Sequence, residues 1–279
     1  MEVTEFDLKV DSDRTLHVYD TGTVADSGHL TVFWHHGTPN IGAPPRPLFP
    51  AGARRAIRWV SYDRPGYGGS SPTPGRDVGS AAAHVSAIAD SLGIGRFAVV
   101  GHSGGGCHAL ACGALLGDRV LGVISIAALA PRDAERLDWF SGMAACGAES
   151  LRAAAAGRAA KESHEASARF DPGMFTQADH AALAGEWSWF DEVLGPAVAS
   201  GLDGLIDDDL AYVAPWGCDP ADITAALLVL HGGQDRIVPS SHGQWLARHC
   251  RTAQLWLSAG DGHISILNSA PAALDWLPR

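Results

Sequence analysis

A serine, an aspartate and a histidine occupy positions in this sequence that suit nucleophilic catalysis. Gly101-His102-Ser103-Gly104-Gly105 fits the pattern G-x-S-x-G, and it lies between the apolar run Phe97–Val100 and a run of small residues. A strand, a sharp turn and a helix in that order expose the serine hydroxyl at the carboxyl end of a sheet. The pattern predicts Ser103 as a nucleophile; a glycine-rich turn with a capping serine is the alternative.

A serine hydroxyl needs a general base at neutral pH, and the base needs a carboxylate that fixes its tautomer. His263 follows the last predicted strand, in Gly260-Asp261-Gly262-His263, and Asp235 follows the strand Leu227–Leu230. The carboxyl ends of parallel strands meet at one edge of a sheet. The sequence therefore predicts a triad of Ser103, Asp235 and His263.

The acid and the base of this triad have competitors. Asp133 follows another predicted strand and is an alternative acid, whereas Asp261 is better explained by turn formation. His242 and His249 lie in a predicted helix, which favours surface or packing roles for both.

An acyl-transfer site also needs N–H groups that stabilise an oxyanion. The N–H of Gly104, directly after the nucleophile, is one candidate. The other is the N–H of Thr38 in His36-Gly37-Thr38-Pro39, which follows an early strand; Pro39 has no N–H to donate. A tight turn with a structural His36 is compatible with this role.

These residues require a parallel sheet that brings the strand ends together. Continuous apolar runs are typical of strands buried on both faces, and segments with helical spacing lie between them. This alternation predicts right-handed crossovers and a doubly wound α/β fold. The expected strands are Phe6–Val10, Leu16–Asp20, Leu30–His35, Ile57–Tyr62, Phe97–Val100, Val120–Leu129, Leu227–Leu230 and Gln254–Leu257.

Residues 132–218 break this alternation, because they contain no strand-like run. They are rich first in alanine, in LRAAAAGRAAK, and then in aromatic residues. We expect residues 132–218 to form a helical cap, and residues 1–131 and 219–279 to form the core. Five aromatic residues are expected either to line an apolar substrate pocket or to fix the cap to the sheet: Trp139, Phe140, Trp187, Trp189 and Phe190.

Composition excludes several classes of protein. The 279 residues carry a formal net charge of −11, which argues against a nucleic-acid partner. The sequence has no run of 18 apolar residues, and its start lacks the basic and apolar parts of a secretory signal, so we expect no membrane span and no export. The five cysteines form no C-x-x-C pair or zinc pattern, which favours structural thiols in the cytoplasm.

Taken together, the motifs resemble those of the α/β-hydrolase fold superfamily, specifically a capped serine hydrolase or esterase. The resemblance spans nearly the whole chain and is carried by five segments: His36 to Pro39, Asp63 to Gly68, Gly101 to Gly105, Gly233 to Pro239, and Gly262-His263. It implies an eight-stranded, mostly parallel sheet with the cap inserted after the sixth strand.

The same resemblance implies Ser103 as nucleophile, Asp235 as acid, His263 as base, and Thr38 and Gly104 as oxyanion donors. The segment from Asp63 to Gly68 is structural in this family and ties a loop near the site. No metal and no organic cofactor is implied.

The expected function is hydrolysis of a small, mainly apolar ester or lactone through an acyl-enzyme. A carbon–carbon bond hydrolase or a cofactor-free perhydrolase uses the same triad and is an alternative. A ligand receptor without turnover is an alternative of another class. Dehalogenases and epoxide hydrolases of this fold carry an aspartate where Ser103 stands, which disfavours those activities. The expected partner is a small ester-like molecule; the sequence does not give the oligomeric state.

Overall fold

The fold is organised around a single eight-stranded sheet. A computed structural model describes residues 1–22 and 28–278. The strands are β1 (Thr4–Lys9), β2 (Thr15–Asp20), β3 (Leu30–His35), β4 (Ile57–Tyr62), β5 (Phe97–His102), β6 (Val120–Ile126), β7 (Ala226–Gly232) and β8 (Ala253–Ser258). Their order across the sheet is β1-β2-β4-β3-β5-β6-β7-β8. The β1–β2 and β2–β4 pairs are antiparallel and the others are parallel, so the predicted mostly parallel sheet is confirmed.

The continuous apolar runs arise because both faces of the sheet are covered. In β3, Phe33 packs into one hydrophobic cluster while Val32 and Trp34 pack into the other. Alternate side chains of a strand point to opposite faces, so each must be apolar when neither face is in water. The strand β6 ends at Ile126, three residues before the predicted end, because Ala127 has a φ of 49° and leaves the extended conformation.

Helices cover the two faces of the sheet. The helices are α1 (Phe49–Arg54), α2 (Ser80–Ser91), α3 (Gly104–Leu115), α4 (Ala145–Ala155), α5 (Arg158–Glu165), α6 (Gln177–Leu183), α7 (Phe190–Val198), α8 (Asp203–Val213), α9 (Ser240–His249) and α10 (Ala270–Trp276). Buried side chains of α2, α3 and α9 belong to one cluster, and those of α1 and α10 to the other. No helix within residues 1–22 and 28–278 has the length and apolar character needed to cross a bilayer.

Five helices, α4 to α8, lie between β6 and β7 in the chain. The alanine-rich stretch forms two of them, α4 and α5, because Gly157 adopts a φ of 108° and interrupts the helical path. The role of this segment as a cap, and the division of the chain into core and cap, remain predictions.

All five cysteines are free, and Cys107, Cys112 and Cys250 are buried. Burial raises the pKa of the Cys107 thiol to about 12. Because the thiolate is the reactive form of cysteine, this side chain packs as an inert residue although it lies four positions after Ser103.

Four histidines make the stability of the fold sensitive to acid; His102, His108 and His242 are buried and His84 is half-buried. Burial lowers the pKa of His84, His108 and His242 to about 4 and that of His102 to about 3. Below about pH 6.5 the unfolded chain therefore binds protons that the folded chain does not. The free energy of unfolding is thus highest above that pH and decreases as the pH falls toward 4. One such histidine accounts for about 2 kcal/mol between about pH 7 and pH 5. Urea unfolding at these two pH values should show at least this loss, and equal free energies of unfolding would contradict it.

Candidate active site

Ser103 lies in the sharp turn between β5 and α3. Its backbone has a φ of 58° and a ψ of −128°, a conformation that non-glycine residues rarely adopt. The Ser103 N–H donates to the carbonyl of Ile126 at 2.8 Å, which fixes the turn against β6. Such strain persists only where surrounding contacts enforce it, and it is concentrated at functional sites.

The glycines on either side of Ser103 are needed because the strand and the helix approach closely. A methyl group at Gly101 would overlap the backbone of Gly105, and one at Gly105 would overlap the carbonyl of His35. The G-x-S-x-G pattern is thus explained by backbone contact, which brings the start of α3 against β3 and β5.

Asp235 and His263 form a buried pair. The Nδ1 atom of His263 lies 2.7 Å from Oδ2 of Asp235, and the residues are 4% and 5% exposed, respectively. The carboxylate accepts, so Nδ1 carries a proton, and in the neutral ring the lone pair is on Nε2. This tautomer is the one that a general base requires.

The second oxygen of Asp235 is held by the backbone. Oδ1 accepts hydrogen bonds from the N–H groups of Ile237 at 2.8 Å and Val238 at 2.9 Å. The chain turn after β7 therefore fixes the carboxylate, and Oδ2 is directed at His263. The competitors lie elsewhere: Asp261 accepts from Ser258 at 2.5 Å, and His242 bonds the backbone of Ala130 and Trp139.

His102 joins the nucleophile turn to the loop that carries His263. Its Nε2–H donates to the carbonyl oxygen of His263 at 2.9 Å, and the two rings lie 4.9 Å apart. Burial, together with the nearby His263, lowers the pKa of His102 to about 3, so the ring is neutral. Hydrogen bonds of the described residues join His263 to Asp235 and His102, but none joins its ring to Ser103 Oγ.

The two candidate oxyanion donors lie beside Ser103. Gly104 is the first residue of α3, where an N–H has no partner within the helix. Thr38 follows His36 and Gly37, and both of their carbonyl oxygens accept hydrogen bonds from the guanidinium of Arg64. The contact to the Gly37 carbonyl oxygen is 3.0 Å long. Arg64 belongs to the segment expected to be structural, and it holds the loop in place.

Asp208 of α8 is the buried anion that balances Arg64. It is 0% exposed and pairs with Arg64 at 2.6 Å and Arg76 at 2.7 Å. Burial alone would raise the pKa of Asp208, but the two guanidinium groups hold it well below its usual value. Sequence analysis missed Asp208, because the run of three acids at 207–209 has the pattern of a solvated helix face.

A second missed carboxylate, Asp179 of α6, holds the loop after His263. Its Oδ1 accepts from the N–H groups of Ile264 and Ser265, both at 2.8 Å. Its Oδ2 accepts from the N–H of Thr176 at 3.0 Å and from its hydroxyl at 2.9 Å, completing a capping box. The Thr-x-x-Asp spacing is visible in the sequence, but it predicts only a helix start. Asp179 therefore links the segment between β6 and β7 to the base.

We expect Asp179→Asn to lower kcat about tenfold with little change in KM. An amide can satisfy only one of the two donor pairs, so either the His263 loop or the start of α6 loses its partner, at about 1–3 kcal/mol. Thr176→Val is the matched control, because it weakens the capping box at the start of α6 and leaves the contacts of Oδ1 with the His263 loop in place. Steady-state kinetics and thermal unfolding of both variants would test this. An equal loss of kcat in the two variants would show that the loss arises from the start of α6, and would contradict a role for the contacts between Asp179 and the His263 loop.

A cavity of about 800 Å³ opens above Ser103. Thr38, Gly104 and Tyr212 line it together with the nucleophile, and residues of α4, of α5 and of the chain after α5 also line it. Its lining is mixed, with apolar groups next to polar ones that include Glu149, Ser150, His164, Glu165, Arg169, Asp171 and Asp209. Within residues 1–22 and 28–278, no group of three His, Cys, Asp or Glu side chains is arranged to hold a metal ion.

The five aromatic residues expected at a substrate pocket do not line this cavity. The indole N–H groups of Trp139 and Trp187 donate to Ala130 and Asn268, and both rings are buried. The rings of Trp189 and Phe190 pack against each other 5.2 Å apart, and Phe140 packs against Trp139. They pack in the two clusters on the sheet faces instead, because large aromatic rings gain most where both sides are covered.

The sequence model of the alpha/beta hydrolase family matches residues 27–274. Among curated proteins, none matches the sequence significantly.

Solved structures with this fold include an esterase from Thermogutta terrifontis, with a TM-score of 0.69 and 20% identity over 99% of this chain and 98% of that one. An enol-lactonase from Burkholderia xenovorans has a TM-score of 0.67 and 18% identity over 95% of each chain. A bromoperoxidase from Bacillus anthracis has a TM-score of 0.68 and 20% identity over 98% and 96%. At these identities the likeness establishes the fold alone.

Proposed function

Since this chain belongs to the alpha/beta hydrolase family, we propose that it is a serine hydrolase that cleaves a small carboxylic ester or lactone. The observation that carries the proposal is the buried His263–Asp235 pair at 2.7 Å, which lies on the same sheet edge as the strained Ser103. The cavity above Ser103 leaves room for a small substrate.

In the acylation step, Ser103 Oγ attacks the carbonyl carbon of the ester while His263 Nε2 takes the hydroxyl proton. This requires Nε2 to come within hydrogen-bond reach of Oγ in the enzyme–substrate complex. Catalytic hydrogen bonds are often long in the free enzyme and shorten only when the substrate binds. Asp235 stabilises the imidazolium that forms. The carbonyl oxygen becomes an oxyanion that accepts from the N–H groups of Thr38 and Gly104. The bond to the leaving oxygen then breaks, and His263 gives that oxygen its proton.

In the deacylation step, water replaces the alcohol. His263 takes a proton from the water as its oxygen attacks the acyl carbon, and the same two N–H groups hold the second oxyanion. The bond to Ser103 Oγ then breaks and Oγ regains its proton from His263. A preorganised donor of this kind is worth about 3 kcal/mol of transition-state stabilisation.

A p-nitrophenyl ester series of increasing acyl length tests this proposal. We expect a burst of nitrophenolate of about one equivalent on short acyl chains, followed by steady turnover, because acylation precedes a slower hydrolysis. The dependence on acyl length then measures the usable part of the cavity. One turnover followed by retention of the product would favour a receptor, and no reaction with any ester or lactone would contradict the proposal.

A further inference from the structure

Tyr212 of α8 places a hydroxyl group next to the candidate oxyanion site. The residue is 2% exposed, yet it lines the cavity together with Ser103, Gly104 and Thr38. A methyl group at Gly104 would overlap the Tyr212 hydroxyl, so this hydroxyl contacts the first residue of α3. Any substrate with its carbonyl oxygen at Gly104 and Thr38 must therefore pass close to it.

The hydrogen bonds around Thr38 fix where the Tyr212 proton lies. Thr38 Oγ1 is 2.5 Å from Oδ2 of Asp208, an ionised carboxylate that can only accept, so Thr38 must donate there. Thr38 Oγ1 also accepts from Arg64 at 3.1 Å. The remaining neighbour of Oγ1 is the Tyr212 oxygen at 2.8 Å. Since the only proton of Thr38 is already used, Tyr212 donates its own proton to Thr38.

With its proton used in this way, the Tyr212 oxygen can only accept a hydrogen bond from a substrate. Burial and the nearby Asp208 raise the pKa of Tyr212 well above its usual value, so the phenol keeps its proton. Tyr212 is thus unsuited to serve as a third donor to the oxyanion. It is instead a neutral hydrogen-bond acceptor beside the oxyanion site.

Other acceptors line the same cavity. Glu165 Oε1 and Asp209 Oδ2 pair with the ammonium group of Lys161 at 2.6 and 2.5 Å, and each carboxylate keeps a second oxygen. Glu149 adds a further carboxylate to the wall. A substrate that brings hydrogen-bond donors matches this wall better than a purely apolar one.

We propose, building on the proposed function, that the Tyr212 hydroxyl oxygen accepts a hydrogen bond from the substrate. This contact selects acyl groups that carry a hydroxyl or amino group on the carbon next to the scissile carbonyl. That carbon is the part of the acyl chain nearest the oxyanion site, and a donor on it is within reach of Tyr212. The inferred substrate class is therefore esters of 2-hydroxy or 2-amino acids.

Matched esters test the proposal without any variant. Ethyl lactate and ethyl 2-methoxypropionate have the same activating oxygen, but only lactate has a proton to donate. We expect kcat/KM to be at least about tenfold higher for ethyl lactate than for the methoxy ester. One hydrogen bond that only the donor-bearing ester makes accounts for a difference of this size. Ethyl propionate gives the reference without the oxygen, and alanine ethyl ester shows whether an amine is preferred to a hydroxyl. Equal rates for lactate and the methoxy ester, with alanine ethyl ester no better than propionate, would overturn the proposal.

Two phenylalanine variants assign the effect to Tyr212. Tyr212→Phe should lose the preference for the donor-bearing esters. Tyr67→Phe is the matched control, because the Tyr67 hydroxyl donates to the same Asp208 at 2.9 Å but Tyr67 does not line the cavity. The preference ratio of this variant should match that of the wild type. If Tyr212→Phe keeps the ratio, the proposal is wrong.

Labelling of Ser103 by a fluorophosphonate separates this proposal from the proposed function. The probe carries no donor for Tyr212 to accept from, so both the wild type and Tyr212→Phe should end with an adduct on Ser103. Labelling without any preference among the esters would reject the role of Tyr212 and leave the hydrolase intact. Absence of labelling in the wild type would reject the proposed function itself.

Discussion

Ser103→Ala is expected to lower kcat for ester hydrolysis by about 10⁶-fold, the scale found when a serine hydrolase loses its nucleophile. Without Oγ no acyl-enzyme forms, and the N–H groups of Thr38 and Gly104 support only the slow attack of water. Alanine keeps the Cβ atom and the same backbone at a φ of 58°, so the fold should be retained. Steady-state kinetics on a p-nitrophenyl ester, with thermal unfolding of each protein, would measure both effects.

Ser200→Ala is a suitable control for the Ser103 variant, because Ser200 is exposed and follows α7. It should keep wild-type kinetics, which would show that the loss belongs to one serine. If Ser103→Ala retained more than about one hundredth of the wild-type kcat, an amount far above that expected for a lost nucleophile, the acyl-enzyme mechanism would be contradicted.

Asp235→Asn is expected to lower kcat by about 10⁴-fold, as the same change does in another triad. The N–H groups of Ile237 and Val238 both point at Oδ1, so the amide oxygen must take that place. The amide NH₂ group then faces His263 and donates to Nδ1. The ring proton is forced onto Nε2, which can no longer take a proton from Ser103.

Asp261→Asn is the control for Asp235→Asn. Asp261 is two residues before His263, but its carboxylate bonds the hydroxyl of Ser258. We expect this variant to stay within a few-fold of the wild-type kcat. If Asp261→Asn lost more kcat than Asp235→Asn, the assignment of Asp235 as the acid of the triad would be wrong.

The parts of the site that sequence analysis identified are local. The G-x-S-x-G turn and the segments around Asp235 and His263 each follow an apolar strand, and a parallel sheet brings the ends of its strands to one edge. Strand periodicity and turn chemistry therefore sufficed to predict a doubly wound α/β sheet and to nominate Ser103, whereas the count of eight strands was implied by the resemblance to the α/β-hydrolase fold. The oxyanion candidates were nominated by the same reasoning.

The supporting carboxylates could not be predicted, because their roles depend on contacts between distant segments. Asp208 meets Arg64 across 144 positions, and Asp179 meets Ile264 across 85. Nothing in the sequence shows which of the three acids at 207–209 pairs with Arg64. The position of Tyr212 beside Gly104 likewise depends on how α8 packs on α3.

The five aromatic residues were predicted at the substrate pocket but do not line the cavity. Their clustering in the sequence suggests a pocket, and they do cluster in space, where Trp187, Trp189 and Phe190 pack together. Clustered rings in sequence indicate mutual packing equally well, and composition cannot show on which side of a helix a cavity opens. The wall of the cavity at Ser103 comes instead from α4, α5 and the polar residues after them.

The most direct test of the central claim is covalent labelling of the nucleophile. The wild-type protein is treated with a fluorophosphonate and studied by intact mass and peptide mapping, beside Ser103→Ala. We expect one adduct per chain on Ser103, formed in step with the loss of esterase activity, and no adduct on the alanine variant. An adduct on another residue, or an active enzyme that takes up no label, would contradict the assignment of Ser103 as the nucleophile.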